Sequence, residues 1–318
     1  MNKYHRSIKT LLLIAIAIFP LALFGQETSE NEKPQAESKA KSKATETKQP
    51  RKEFSEIIAD NSYLVENAVN IAPGNLHTIT GCTQFRSPSR SLVCGMTQET
   101  TFSGGKNLFS YSLPYSSFDS GSVRGVGDVA FTFRRQLTGD ENWAVVSPRF
   151  TAFVPSGKHS KGLGVASPAF QFAVPVTKRL SDYFLGSFNS GVTYVPRALG
   201  EDESGNSVRR GLTSFNLGGS LVWRAHRNFN PLVEYVENFG NEIGEGGRTV
   251  RFNEHIVSPG VGLAWHVGGM RVSPGFAVPV SFRGGEYRTG IFFYLAFEHG
   301  LRRHKRPRIA QGGAEPGR

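Results

Sequence analysis

The feature that most constrains this 318-residue sequence is a long series of short segments in which apolar and polar residues alternate. The segments are separated by Gly, Ser, Pro, Asn and Asp. Period-two alternation bounded by turn residues predicts β-strands with one apolar and one polar face. Strands are expected near 76–84, 92–102, 106–115, 124–137, 142–154, 165–178, 182–195, 211–225, 229–239, 252–267, 269–282 and 286–299.

Alternation alone does not say which face meets water, but the composition of the faces does. Val129, Phe131 and Phe133 share one face of their segment, and the polar faces consist mainly of Ser, Thr, Gly, Ala and Asn. A soluble exterior would carry many more Lys and Glu. A barrel of about twelve strands is also too wide for inward side chains to fill. We therefore predict an all-β fold, an antiparallel transmembrane β-barrel of about 12 strands with its apolar side outward.

The connections between the segments differ in length at the two ends of the predicted barrel. Tight turns alternate with longer connections at 85–91, 116–123, 155–164, 196–210 and 240–251. Short periplasmic turns and longer outer loops are typical of outer-membrane barrels. Pro148, Pro168, Pro259 and Pro274 fall inside segments, where each removes a ladder hydrogen bond, so we expect bulges there.

The start of the chain predicts export. Lys3, Arg6 and Lys9 precede an apolar run of roughly 14 residues, too short for a membrane-spanning helix. A basic start, a short apolar run and Gly25 are typical of a cleaved signal peptide at 1–25, with an uncleaved anchor as the alternative. Residues 26–53 lack apolar clusters and predict a disordered polar segment. The barrel is expected at 54–300 and a basic tail at 301–318.

The net charge of +11 is concentrated at the ends of the chain. Three positive charges lie in residues 1–25, a net two in 26–52 and a net five in 301–318, so residues 53–300 are close to neutral. A nucleic-acid surface would need a basic patch on the folded domain. Nucleic acid is therefore not an expected partner.

Cys82 and Cys94 are the two cysteines of the chain. They flank a turn-like stretch around Pro88, which predicts a hairpin that places them opposite each other. An exported protein favours oxidation. We expect a disulfide, with free thiols as the alternative, and no metal site, because two cysteines cannot complete one.

Three short motifs resemble a known family. They are Gly125-Val126-Gly127-Asp128, then Pro155-Ser156-Gly157-Lys158, then Gly162-Leu163-Gly164. Their order is similar to that in the outer-membrane barrel family linked to the meta-cleavage pathway of phenol degradation. The lead-in that ends Ser62-Tyr63-Leu64 is similar to members described as transporters. The resemblance implies an outer-membrane barrel encoded near genes for handling organic compounds, although the basic tail after Phe297 departs from the usual aromatic end.

Candidate functional residues are the charges expected inside the barrel. Strand parity predicts that these are Asp128, Arg134, Arg149, Lys178, Glu234, Arg271 and Glu298. Such charges could line a pore and tune which solutes pass. Alternatively they pair with one another and plug the barrel. Both interpretations remain open from the sequence.

The leading hypothesis is a passive channel or uptake barrel for small, possibly aromatic, organic molecules. It would lie in outer-membrane lipid, with assembly machinery as a partner and no cofactor. A second hypothesis is a closed structural or adhesive barrel that presents loops 196–210 and 240–251. A third is an outer-membrane hydrolase, although no catalytic residues and no outward Ser–His pair emerge.

Overall fold

The computed structural model describes residues 63–86, 89–139 and 142–301. The predicted signal peptide, the predicted polar segment 26–53 and all of the tail after Leu301 lie outside these residues, and so do the proposed domain boundaries at 25 and 53. Seventeen β segments, named β1 to β17 in chain order, have the bounds Asn75–Phe85, Ser91–Phe102, Asn107–Phe118, Val123–Val126, Val129–Arg135, Val145–Val146, Arg149–Val154, Ala169–Ala173, Val176–Arg179, Phe184–Glu201, Ser207–Trp223, Phe229–Ile243, Thr249–Leu263, Trp265–Val267, Met270–Ala277, Val280–Arg283 and Glu286–Gly300.

These segments form one closed antiparallel barrel of twelve strands, which confirms the predicted fold class. The barrel closes where β1 pairs with β17, from Asn75 opposite Gly300 to Phe85 opposite Gly290. Five of the twelve strands are interrupted, and each consists of two consecutive segments: β4/β5, β6/β7, β8/β9, β13/β14 and β15/β16. Because the number of strands is even, β1 begins and β17 ends at the same end of the barrel, here called the terminal end. The opposite end is called the loop end.

Of the four prolines expected inside strands, one lies at an interruption. Pro148 separates β6 from β7, and Pro168 directly precedes β8, whereas Pro259 and Pro274 lie within β13 and β15. A proline lacks the donor but keeps its carbonyl. Pro148 O accepts the N–H of Arg135 at 3.0 Å, and Pro259 O accepts that of Val278 at 2.9 Å. Pro148 and Pro259 therefore each remove one backbone hydrogen-bond donor from the wall, while their carbonyl oxygens still accept hydrogen bonds.

The two faces of the wall differ as predicted. Apolar side chains such as Phe131, Phe172 and Phe293 are exposed on the outside. Small polar side chains such as Thr151, Asn216 and Ser258 are buried on the inside. A continuous apolar exterior of this kind suits hydrocarbon better than water. In the described part of the chain, no helix is long and apolar enough to cross a membrane.

Two predicted long loops are extended hairpins instead. β10 continues to Glu201 and β11 starts at Ser207, so the connection predicted at 196–210 shrinks to the turn 202–206. In the same way β12 and β13 leave only 244–248 of the predicted loop 240–251. These hairpins are rich in charged and polar residues, and their few apolar residues, such as Val208 and Ile243, do not produce a clear alternation in the sequence. The connection 155–168 between β7 and β8 remains a long loop.

The disulfide between Cys82 and Cys94 is present, which confirms the expected bond. The two residues are direct partners in the β1–β2 register. Their neighbours Gly81 and Gly95 line the barrel interior. Since side chains alternate along a strand, the disulfide lies on the outer face.

Candidate functional site

Residues 63–72, here called the luminal segment, run inside the barrel ahead of β1. Val65 and Ala68 are almost completely buried against the inner wall. The segment has no regular secondary structure, so its backbone N–H groups need partners from elsewhere. Inward side chains of the wall supply those partners.

Glu234 in β12 holds the start of the luminal segment. Its carboxylate accepts the backbone N–H groups of Tyr63 at 2.9 Å, Leu64 at 3.0 Å and Val65 at 3.0 Å. The Glu234 side chain is fully buried. Successive N–H groups that converge on one anion make a strong, charge-assisted contact. Glu234 is therefore an anchor for the segment and not a residue that faces the open lumen.

Glu66 connects the luminal segment to the opposite wall through two arginines. Its Oε1 lies 2.6 Å from Nη1 of Arg134, and its Oε2 lies 2.7 Å from Nε of Arg149. Arg134 Nε also donates to Asn70 Oδ1 at 2.9 Å. The backbone of Glu66 exchanges two 2.6 Å hydrogen bonds with the Asn189 side chain. Both arginines thus share one carboxylate from the segment, which offsets one of their two positive charges.

The last part of the segment is fixed near the terminal end. The N–H of Ala68 donates to Thr177 Oγ1 at 2.9 Å, and the Ser147 hydroxyl donates to the carbonyl of Ala68. The N–H of Asn70 donates to Gln136 Oε1 at 2.8 Å. From Asn70 to Tyr63, the segment thus contacts successive strands around the interior.

Tyr63 sits against a part of the wall shaped for it. Its hydroxyl donates to the carbonyl of Val261 at 2.7 Å. Its ring centroid lies 5.3 Å from that of Phe292 and 4.9 Å from that of Tyr294. A Cβ on Gly275 would lie 1.8 Å from the Tyr63 hydroxyl oxygen. Glycine at 275 is therefore required for this position of Tyr63.

A cavity of about 1630 Å³ remains beside the luminal segment. It reaches from Val93 and Leu163 near the loop end to His226 and Glu298 near the terminal end. Inward residues of β1–β3, such as Thr97, line it, and we call this side of the barrel the open half. A cavity that reaches from one barrel end to the other, with polar groups in its lining, can carry small solutes.

Apart from Asn230 near the terminal end, the inward side chains of β11–β13 do not line the cavity, and we call this side the filled half. Asn216, Glu234 and Asn238 are fully buried there. Asn238 Nδ2 donates to Glu254 Oε2 at 3.3 Å, and the Ser281 hydroxyl donates to Glu254 Oε1 at 2.6 Å. Wall-to-wall hydrogen bonds and the luminal segment occupy the space on this side.

The loop 155–168 folds inward onto Asp128. The Asp128 carboxylate accepts the N–H of Gly157 at 2.8 Å and that of Val165 at 3.0 Å. A Cβ on Gly157 would lie 2.1 Å from the Leu163 carbonyl oxygen, and one on Gly164 would lie 2.4 Å from Asp128 Oδ1. The three motifs behind the family resemblance therefore meet around one carboxylate. Their meeting narrows the loop end of the cavity through Leu163.

The remaining predicted site residues have different surroundings. Arg271 Nη1 lies 3.7 Å from Glu298 Oε2, and Asn75 Nδ2 donates to Glu298 Oε1 at 2.7 Å, all at the terminal end of the cavity. Lys178 was expected inside but lies on the outer face, with its Nζ 3.8 Å from the ring centroid of Trp143. Inward and outward side chains continue to alternate through Pro175. Thr177 therefore points inward, and Lys178 points outward on the same face as Val176.

The luminal segment itself was not predicted from the sequence. Strand parity identifies Arg134, Arg149 and Glu234 as inward charges. It suggests that they line a pore or pair with one another, and it indicates no partner inside the barrel. Arg134 and Arg149 are near each other in the β5–β7 register, directly opposite in the ladder. Two like charges in that arrangement need a carboxylate, and Glu66 just before the first strand was the available signal.

Solved structures similar to this chain are outer-membrane barrels. An outer-membrane channel from Pseudomonas putida F1 matches over 73% of this chain and 97% of that chain, with 10% sequence identity and a TM-score of 0.53. The NanC porin matches over 71% and 100% with 9% identity and a TM-score of 0.44. The CymD monoaromatic hydrocarbon channel matches over 73% and 90% with 10% identity and a TM-score of 0.41.

No family model matches the sequence. No curated protein matches it either. The likeness to the Pseudomonas putida channel, at 10% identity, shows the fold alone. This chain has the fold of a closed, twelve-stranded antiparallel β-barrel, the architecture of outer-membrane barrels.

Proposed function

We propose that this protein is a passive outer-membrane channel for small organic molecules. The observation that carries the proposal is the cavity that extends between the two barrel ends beside the luminal segment. A protein whose interior was packed throughout would offer no such route. The apolar outer face and the fold shared with an outer-membrane channel support placement in that membrane.

In the proposed orientation, the terminal end faces the periplasm and the loop end faces outward. The loop 155–168 lies at the loop end, in keeping with the usual length difference between outer loops and periplasmic turns. Export through a signal peptide at 1–25 belongs to the same proposal. A Cys substituted for Ser204, in the turn of the β10–β11 hairpin, should react with a membrane-impermeant maleimide on intact cells.

The cavity lining favours compact solutes that combine a polar group with an apolar body. Thr97, Ser110 and Thr132 offer hydroxyl groups, whereas Ile79 and Phe292 offer apolar surface to the same cavity. Small aromatic acids and alcohols have this chemistry, and they are organic compounds, in keeping with the genes that the family resemblance implies nearby. The link to phenol degradation stays a prediction.

Planar-bilayer recording of the refolded full-length protein tests the proposal. We expect small, ohmic conductance steps, and liposome swelling with benzoate-sized solutes but much less with disaccharides. The control is protein heated to unfold the barrel and added at the same concentration. Bilayers that stay silent at all voltages, together with liposomes that do not swell, would contradict a channel function.

A further inference from the structure

A second candidate site lies on the outer face of the barrel, near the loop end and outside the lumen. β10 has a register irregularity between Val195 and Ala198, which leaves Pro196 and Arg197 out of the ladder with β11. Arg197 and Arg209 are exposed on the outer surface there. The bulge thus brings a guanidinium group from each of two neighbouring strands to one place.

Hydrogen bonds fix Arg209 in this position. Its Nη1 donates to the carbonyl of Arg197 at 3.0 Å and to that of Ala166 at 3.2 Å. The N–H of Arg197 donates to Ser167 Oγ at 3.2 Å, so the bulge is hydrogen-bonded to the loop 155–168. Ala166 has φ +52°, a left-handed conformation that is rare outside glycine. The arrangement is therefore built from several elements and is not a pair of loose surface side chains.

The two arginines border a hollow of about 450 Å³ that opens outward. The hollow exists because β8 pairs with β10 only up to Tyr194, whereas the β10–β11 hairpin continues beyond it. Its lining consists of Ala166, Ser167, Pro168, Phe170, Pro196, Arg197 and Arg209. The lining thus combines two cations with the apolar side chains of Pro168 and Phe170.

Neither guanidinium group is paired with a carboxylate within the described residues. Below them on the outer face, Tyr194 and Phe170 are exposed, as aromatics at a membrane interface typically are. An arginine on the lipid face is costly at the membrane centre and well tolerated at the interface. Guanidinium groups match phosphate oxygens through paired hydrogen bonds.

We propose that this hollow binds a phosphorylated lipid of the outer leaflet, with its phosphate on Arg197 and Arg209 and an acyl chain against Phe170 and Pro168. The inference rests on the proposed membrane placement, in which the loop end faces outward. It concerns the outer wall, so it is independent of whether the lumen conducts. The amphipathic shape of the hollow favours a lipid-borne phosphate over a free one.

The test measures binding of bisphosphorylated lipid A to the full-length protein in detergent by native mass spectrometry. We expect the Arg197→Gln/Arg209→Gln variant to bind about tenfold more weakly, because the charge-assisted contacts are lost. The single variant Arg197→Gln keeps the Arg209 contacts to the loop and should show a smaller loss. It keeps the proposal testable if the double variant folds poorly, which a heat-shifted gel mobility reveals.

The matched control is Arg135→Gln/Lys178→Gln, which removes two outward cations near the terminal end. This control should bind lipid A like the wild type. Dephosphorylated lipid A should bind the wild type about tenfold more weakly, and inorganic phosphate should not compete at equal concentration. Equal binding by the double variant, an equal loss in the control, or full competition by inorganic phosphate would overturn the proposal.

The same preparations separate this inference from the channel function. The Arg197→Gln/Arg209→Gln variant should conduct like the wild type in planar bilayers. If no preparation conducts but lipid binding still depends on these arginines, the channel proposal fails and the lipid site stands. If Ser204→Cys does not react with the impermeant maleimide on intact cells, the outer-leaflet assignment fails.

Discussion

The open half and the filled half of the barrel have similar inward residues but different interiors. On β1–β3, Thr97 and Ser110 line the cavity, whereas on β11–β13, Asn216 and Asn238 are sealed from it. The difference comes from what each half contacts. The filled half holds the start of the luminal segment through Glu234, and the open half does not. A polar inner face therefore does not by itself determine whether a barrel is open.

Deletion of residues 63–72 should have the largest effect, because it removes what distinguishes the two halves. We expect single-channel conductance to rise by about threefold or more, since a twelve-stranded barrel leaves a wide lumen when nothing fills it. Planar-bilayer recording measures the change. A deletion of equal length at 36–45 is the control and should leave conductance unchanged. No increase after the first deletion would mean that the segment does not narrow the lumen.

Gly275→Ala should displace Tyr63 from the wall. The new methyl group would overlap the Tyr63 hydroxyl, so the ring must leave its position against Phe292 and Tyr294. We expect noisier and larger currents, and we expect Gly275→Ala/Tyr63→Ala to lose the noise. Gly219→Ala, which meets no atom within 4 Å, is the matched control. Identical traces for Gly275→Ala and Gly219→Ala would count against the position of Tyr63.

Glu234→Gln should loosen the segment without removing it. The amide cannot replace a carboxylate that accepts three N–H groups, and hydrogen bonds to charged groups contribute roughly 1.5–3 kcal/mol each. We expect brief openings to a larger conductance, at a frequency that rises with temperature. Hydrogen exchange at the amides of Tyr63, Leu64 and Val65 should accelerate in parallel. Unchanged exchange at these amides would contradict the anchoring role.

Glu99→Gln tests the open half and should change selectivity more than conductance. Glu99 lines the cavity, 3.4 Å from His77 Nδ1. Loss of one inward negative charge should shift the reversal potential in a salt gradient toward anion preference. The segment should stay docked, so the amides of Tyr63 to Val65 should exchange as in the wild type. A reversal potential equal to that of the wild type would mean that the permeating ions do not pass Glu99.

Cys82→Ser/Cys94→Ser should have the smallest effect on function. The disulfide joins residues that β1 and β2 already pair, and it lies on the outer face. Its removal should lower the free energy of unfolding by about 1–3 kcal/mol and leave conductance unchanged. Urea unfolding in lipid vesicles, followed by tryptophan fluorescence, measures the first quantity. A change in conductance would show that this outer link affects the interior.

The sequence predicted the wall well because burial on one face imposes period-two alternation on every strand. It failed where that constraint is missing. The hairpins around 202–206 and 244–248 are rich in charged and polar residues, and their few apolar residues, such as Val208 and Ile243, set no clear alternation, so the sequence predicts loops there. Lys178 was assigned to the inner face because it is charged, although the alternation of its own segment places Thr177 inward and Lys178 outward.

The luminal segment escaped prediction for a different physical reason. Its contacts use backbone N–H groups that any residue possesses, and its partners lie on strands far away in the sequence. Glu234 is 169 residues from Val65. No local pattern encodes such contacts. The inward arginines could be listed as candidates, but their partner Glu66 could not be assigned.

The most direct test of the account locks the luminal segment in place and asks whether the channel still conducts. Val65 and Val236 belong to one buried cluster. Val65→Cys/Val236→Cys, in the Cys82→Ser/Cys94→Ser background, is therefore designed to join the segment to the wall, and loss of free thiols on oxidation shows that the bond has formed. If solutes pass beside the segment, bilayer conductance will be the same before and after reduction of this bond. A locked protein that is silent and conducts only after reduction would show that the route opens by removal of the segment, and would contradict the account.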